Sequence, residues 1–505
     1  MVRFHARAQR NALVFHAREA YAIIALMAMH ITQEERDRER ALFEEERARE
    51  PKAFVRAPMV DNDKVLRSVG IEGLPKGRPV AYLKLMPQDF VVEEIDREGN
   101  IHEARREDAA EEGPALEGEG ATYYADLVKV GISTLEAKAE LAHALGTEER
   151  NIGFAGVKDR MALTSQAISM RGVADPGAFS RLDRENLFLN GVRRGKGAVA
   201  NGDLKGNEFT IALRFASPPG RATKDFLDEQ IAIAKEEGFW NFFYLQRFGT
   251  PRLIAHILGR LLVQGKYEDV VKTFLTHRAE RELPYFAALR VDIENKWGDW
   301  KGIREIVDRF PYHFGIERSF VAHLMERPGD FLGALHEVPD QVRMWFYAYD
   351  SLLFNKKLSA FIKSGEVPLD LPFLTSFNPV DWKPYAEFLE EDGVVLPTRS
   401  WKDFPFVRVE SRRCATLQKI EMGKTSFEGR VGAISFSLPK GSYATSFLMN
   451  LFSLASGLPV VPGISTEGVD VKAMLGMGSL APVLERFKTV LGRRQADIEA
   501  GEGAE

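Results

Sequence analysis

The chain has 505 residues, a formal net charge of −5 and 45% hydrophobic residues, enough to bury a large core and, at ordinary domain sizes, to form about two to four domains. A single cysteine, Cys414, excludes an intramolecular disulfide and a cysteine-rich zinc site, which fits a reducing compartment, and the ten histidines show no HExxH or clustered metal spacing. Mild acidity excludes a polycation that coats nucleic acid indiscriminately.

The first 20 residues are arginine-rich and nearly free of acids, a faint likeness to a transit peptide that is weighed against a dispensable extension with a start at Met27 or Met29. The apolar run YAIIALMAM at 21–29 is too short to span a bilayer, so no membrane segment is expected. Residues 33–50 are charge-dense and read as a solvated helix or a disordered segment. Strand character follows in AYLKLMPQDFVVEEI (81–95) and ATYYADLVKV (121–130). Ser133 and Glu136 then form a capping box that opens the helix LEAKAELAHALG, with Gly146 as its terminator.

GFAGVKDRMALTSQ (153–166) comes next. Its aspartate, Asp159, reads either as a surface-turn residue or as a carboxylate positioned on a loop for chemistry. TSQAISM continues as a strand, and in GNEFTIALR the residues Phe209, Ile211 and Leu213 alternate with polar or small neighbours as a half-buried strand requires. Between Asn151 and Arg214 there are ten Lys or Arg against six Asp or Glu. Arg193, Arg194 and Lys196 stand among glycines there, and such a local basic face suits a structured RNA or is an ordinary solvated loop.

Beyond Phe248 the pattern turns helical. Thr250 and Pro251 read as a cap and first turn, followed by Ile254, Ile257, Leu258, Leu261 and Leu262 at helical spacing. A second long helix is expected over DQVRMWFYAYDSLLFNKKLSAFIKSG, ending near Gly365. Prolines 368, 372, 379, 384, 397 and 405 punctuate the next stretch, and strand character returns in GAISFSLPKGSYATSF, as though a helical unit were inserted into a sheet. MGKTS at 422–426 imitates the tail of a phosphate-binding loop, but Gln418 occupies its first glycine position and the reading is dismissed.

Six stretches, in order and covering roughly 80 to 480, together resemble the TruD-type tRNA pseudouridine synthases: LKLMPQDFVVEE (83–94), GFAGVKDRMALTSQ, GDLKGNEFTIALR (202–214), NFFYLQRFG (241–249), YDSLLFNKKLS (349–359) and FSLPKGSYATSFL (436–448). The resemblance implies an α+β fold: a mixed or antiparallel pseudouridine synthase sheet flanked by helices, with an inserted helix-rich α+β domain and a central cleft between two arms of a V. The implied divisions are an extension at 1–65, a catalytic domain at 66–249 and 411–485, an insertion at 250–410 and a tail at 486–505. It also implies isomerisation of uridine to pseudouridine in folded tRNA, usually at position 13, in the cytoplasm and with no cofactor. The oligomeric state is left open.

By the same resemblance Asp159 is the catalytic aspartate and Lys84 the cation beside it. Asn207 and Phe209 hold the uracil, and Asn241, Gln246, Arg247 and Phe248 belong to a substrate-side turn. Lys158, Arg160, Arg193, Arg194 and Lys196 are expected to face phosphate. Taken alone, Lys84 is an ordinary exposed strand lysine, Phe209 a core residue and Asn207 a turn residue. Tyr244, Leu245, Met449 and Asn450 depart from the family pattern. The alternative of another class is an RNA-binding or RNA-folding protein that keeps the cleft and lacks turnover, and a hydrolase with an aspartate nucleophile has no supporting metal, paired carboxylate or histidine motif.

Overall fold

The computed structural model describes residues 32–56, 58–106, 120–458, 460 and 462–499. The readings of residues 1–20 and 21–29 lie outside them. In chain order the elements are α1 (Gln33–Arg49), β1 (Met59–Val60), α2 (Asp63–Ser68), β2 (Val80–Tyr82), β3 (Phe90–Ile95), β4 (Thr122–Val130), α3 (Thr134–Ala144), β5 (Ile152–Phe154), β6 (Leu163–Arg171), β7 (Leu187–Gly195), β8 (Gly206–Arg214), α4 (Arg221–Glu236) and β9 (Phe239–Trp240). A helical stretch follows: α5 (Ala255–Val263), α6 (Tyr267–Thr276), α7 (Pro284–Asn295), α8 (Trp300–Val307), α9 (Gly315–Glu326), α10 (Phe331–His336) and α11 (Pro339–Ser364). The chain then adds β10 (Asp370–Pro372), α12 (Ala386–Glu391), α13 (Ser400–Asp403), β11 (Arg413–Ala415), β12 (Leu417–Gln418), β13 (Glu421–Ser426), β14 (Val431–Pro439), α14 (Ala444–Leu451), β15 (Ser453–Ser456), α15 (Val471–Met474), α16 (Ala481–Arg486) and α17 (Lys488–Glu499).

Among the described residues the main sheet is mixed and 11-stranded, with a spine in the order β1, β15, β2, β8, β3, β6, β4, β7. β3 runs parallel to β6 and β2 parallel to β15, while β4 pairs antiparallel with β6 and β7. β14, which follows the helical stretch, pairs along the whole of β8 from Gly206 to Arg214. The two halves of the chain are thereby joined in one sheet. β3 lies between β8 and β6, and all but its last residue is buried. Both faces are covered, which is why FVVEEI shows no alternation of apolar and polar residues.

The segment 81–95, which reads as one strand, is interrupted. β2 stops at Tyr82, Lys84 takes a left-handed backbone (φ 57°), and Pro87–Asp89 makes a single 3₁₀ turn before β3. Asp89 and Arg214 hold this break. Arg214 donates from Nε and Nη2 to the two Asp89 oxygens at 2.8 and 2.6 Å, both side chains are fully buried, and Nη1 donates to the carbonyls of Ser465 and Glu467 at 2.8 Å. Asp89 also accepts from the Met86 N–H at 3.0 Å. The Pro-x-Asp-Phe signature thus encodes a buried clamp.

In the helical stretch, the expected start at Thr250 and Pro251 is corrected: α5 begins at Ala255, after turns. α5 crosses α11 so closely that a Cβ on Gly259 would stand 2.0 Å from the Trp345 carbonyl oxygen, so that crossing tolerates no side chain there. α11 carries buried side chains on every side, among them Trp345, Phe346, Tyr349 and Phe354, and ends at Gly365 in a left-handed turn (φ 80°). Residues 488–499, taken from sequence as part of a tail, form α17 with Leu491 and Ile498 buried. MGKTS is β13, a strand paired with β14. No helix among the described residues is long and apolar enough to cross a membrane, and among them no cluster of His, Cys, Asp or Glu could hold a metal ion.

Candidate active site

The hairpin β5–β6 presents the loop 155–162 at the edge of a cavity of about 1610 Å³ between the sheet and the helical stretch. Such a volume exceeds the roughly 300–1,000 Å³ of small-molecule pockets. Its lining includes Asp159, Lys84, Asn207, Phe209, Gln246 and Arg247 from the sequence reading. Among the described residues, twelve Lys or Arg and six Asp or Glu line it.

Packing and hydrogen bonds fix the loop before any side chain is considered. Gln166 donates to the Gly156 carbonyl at 2.8 Å, the Lys158 N–H donates to Thr134 Oγ1 at 2.9 Å, and the Gly202 N–H donates to the Ala155 carbonyl at 2.7 Å. Lys129, fully buried on β4, donates from Nζ to the carbonyls of Ile132 at 2.8 Å and Asp159 at 2.9 Å. Burial pulls the Lys129 ammonium down to about 7. The backbone of Asp159 is thus held by a side chain of the neighbouring strand. Sequence reading missed Lys129, although a lysine within an apolar strand run is the signal that could have marked it.

With the loop fixed, Asp159 Oδ2 accepts from Lys84 Nζ in a direct ion pair, and their side chains keep 26% and 17% of their surface exposed. The carboxylate is therefore shielded yet reachable. Lys84 Nζ also lies 3.9 Å from the centroid of the Phe90 ring, an attraction that adds to the ion pair. Burial pushes the Asp159 carboxyl up to about 6 and the Lys84 ammonium down to about 7, because both charged forms lose water. Their direct contact opposes both movements and favours the charged pair.

Lys158, expected to face phosphate, is corrected to an internal role. It is buried and donates from Nζ to Glu94 Oε2 at 2.6 Å and to Asn207 Oδ1 at 2.7 Å. That bond assigns the Asn207 oxygen and leaves its amide NH₂ as the donor available to the cavity. Glu94 was not singled out from sequence, and it supplies the anion that keeps Lys158 inside. Arg160 borders the cavity and pairs with Glu136, the residue that closes the capping box with Ser133.

Phe209 is both core and cavity wall. Its ring stacks on Phe436 with centroids 5.3 Å apart and meets Phe90 edge-on at 5.9 Å, leaving 6% of the residue exposed. Gln246 is exposed and Thr445 Oγ1 donates to its Oε1 at 3.0 Å, while the Arg247 guanidinium lies 5.3 Å from the Phe243 centroid. Phe248 is fully buried against His256 and Asn241 donates to the Ala415 carbonyl at 2.9 Å, so both brace the turn and neither lines the cavity. Arg193, Arg194 and Lys196 lie exposed in and just after β7, at the far edge of the sheet and outside the cavity lining. The Tyr244 hydroxyl donates to Asp61, Leu245 is buried, and Met449 and Asn450 are buried in α14. These departures are absorbed into packing.

The family model described as tRNA pseudouridine synthase D (TruD) matches residues 79–372. A protein of Methanopyrus kandleri named as a probable tRNA pseudouridine synthase D is 32% identical over 67% of this chain and 87% of its own length. One of Methanocaldococcus jannaschii, named as a probable tRNA pseudouridine synthase D 1, is 28% identical over 72% of this chain and 94% of its own. The fold matches the crystal structure of a candidate tRNA pseudouridine synthase D from Methanosarcina mazei, with a TM-score of 0.59, 23% identity, and coverage of 76% of this chain and 97% of that one.

Proposed function

From the premise that this chain belongs to the TruD family and is a pseudouridine synthase, we propose that Asp159 is the reacting carboxylate and that a uridine of folded tRNA, flipped into the cavity, is its substrate. The observation that carries this is the Asp159–Lys84 ion pair at the cavity wall, held in place by its own strand neighbours. The isomerisation breaks the N1–C1′ bond, turns the uracil and forms C5–C1′. N1 gains a proton and C5 loses one, so the reaction balances with no oxidant, reductant or cofactor. Asp159 serves by attacking carbon or by removing a sugar proton during detachment, and both roles require it ionised.

Flipping costs a few kcal/mol. Stacking on an aromatic ring such as Phe209 returns roughly 1–3 kcal/mol per base, and the Asn207 amide donates to a uracil carbonyl. The helical stretch within 250–410 serves as the opposing arm, with tRNA between it and the sheet, in a cytoplasmic enzyme. Incubation with unmodified tRNA, followed by nucleotide-resolution mapping, is expected to show pseudouridine at position 13. Tight tRNA binding with no product at any position would favour an RNA-binding protein without turnover.

The pH dependence follows from the pair. kcat/KM rises with pH as Asp159 ionises and falls as Lys84 loses its proton, giving a bell with limbs at or outside about 6 and about 7. Lys84→Met removes the cation and is expected to move the acid limb to higher pH by about one to three units. An unmoved acid limb would separate Lys84 from the ionisation of Asp159.

A further inference from the structure

The helix α1 reads in sequence as a solvated surface helix, yet one of its faces lines the same cavity as Asp159, with Arg36, Arg40, Phe43 and Arg47 on it. Their spacings of four, three and four residues place them along a single stripe. Two of the helix's acids are used as anchors. Glu39 accepts from the Tyr312 and His313 N–H groups at 2.5 and 3.1 Å, at the entrance to α9. Glu46 is buried and accepts from Arg309 at 2.6 Å.

Apolar contacts complete the docking. Phe43 meets Phe54 edge-on at 4.8 Å, and Phe54 stacks on Tyr285 at 4.6 Å. Glu44 shares the cavity wall and stands 3.8 Å from Arg47. Glu46 is thus directed into the protein, and Glu39, which also borders the cavity, has its carboxylate taken up by backbone N–H groups of the helical stretch, while Arg36 and Arg40 line the cavity, which among the described residues has twice as many basic as acidic side chains in its lining. The helix is docked on the helical stretch by ion pairs and rings, as a wall is. A plug that must leave before substrate enters would not need such anchoring.

We propose that α1 is a third wall of the RNA-binding cleft, and that Arg36, Arg40 and Arg47 hold backbone phosphates of the tRNA on either side of the flipped uridine. The inference rests on the tRNA reading above. It assigns a binding role to a segment that lies before the family match at residue 79.

The full-length triple variant Arg36→Ala, Arg40→Ala, Arg47→Ala should be compared with wild type on unmodified tRNA. A drop in kcat/KM on the order of tenfold at physiological salt is expected, appearing in KM, with the slope of log KM against log salt lowered by roughly 0.7–0.9 for each phosphate that the variant no longer neutralises. The second variant, Glu39→Gln with Glu46→Gln, keeps the arginines and loosens the helix, and should weaken binding in the same direction. Wild-type kinetics and salt slope in the triple variant would overturn the proposal, and so would a rise in kcat/KM when the anchors are cut, the mark of a plug. Absence of pseudouridine from wild-type protein would overturn the tRNA reading instead, which separates the two failures.

Discussion

Asp159→Asn is expected to reduce pseudouridine formation at least about 10³-fold while leaving tRNA affinity within a few-fold of wild type. A positioned general base contributes about 10²–10⁴-fold. A larger loss would indicate that the carboxylate also forms a bond to carbon, which an amide cannot do. Asparagine preserves the volume of the side chain and removes its charge, so the loop clamped by Lys129 and Thr134 keeps its backbone hydrogen bonds. Lys84 would then be a shielded cation without its anion, and burial would depress its ammonium further. Single-turnover kinetics and filter binding on the same tRNA separate the two quantities. Retained turnover would remove Asp159 from the reaction.

The second large effect concerns the clamp behind Lys84. Asp89→Ala leaves the Arg214 guanidinium buried with its main anion gone, a situation that costs about 3–5 kcal/mol. The thermal unfolding midpoint should fall by several degrees, and activity should fall further than the remaining folded fraction accounts for. The reason is geometric: the Pro87–Asp89 turn lies between Lys84 and β3, and Lys84 holds a left-handed backbone that the surroundings must impose. Arg214→Lys keeps the charge and gives up the two-pronged grip, and should show a smaller effect of the same kind. A stable, fully active Asp89→Ala protein would show that the turn is held by other means.

What the sequence disclosed follows from where information is local. Capping by Ser133 and Glu136 and the end of α11 at Gly365 each depend on neighbours in the chain, and each is legible, whereas the half-buried reading of β8 is corrected: Thr210, Ala212 and Arg214 are as buried as Ile211 and Leu213, because β8 lies between β3 and β14 with both faces covered. Asp159 and Lys84 came from motif resemblance, and their pairing spans 75 positions that no local pattern relates. Lys158 was misread because three consecutive charged residues, Lys158, Asp159 and Arg160, look alike in a turn. Only the distant Glu94 and Asn207 show which of them turns inward. The docking of α1 was hidden for a similar reason. Its anchors Glu39 and Glu46 are acids, and hydrophobic patterning assigns acids to solvent. Thr250 and Pro251 place the start of α5 four residues early because Thr-Pro is a good cap pair wherever it stands, and tertiary packing sets the cap at Ile254 and the first helical residue at Ala255.

In the proposed reaction a uridine base detaches from C1′ and returns through C5 under the Asp159 carboxylate. Transcribed tRNA carrying tritium at C5 of uridine reports this directly, since the C5–C1′ bond can form only if the hydrogen at C5 leaves. Wild-type protein should release tritium to water in step with pseudouridine formed, one per target uridine, and Asp159→Asn should release none above background. Pseudouridine formed by the Asp159→Asn protein at the wild-type rate, or tRNA bound by wild type with no tritium released, would contradict the account.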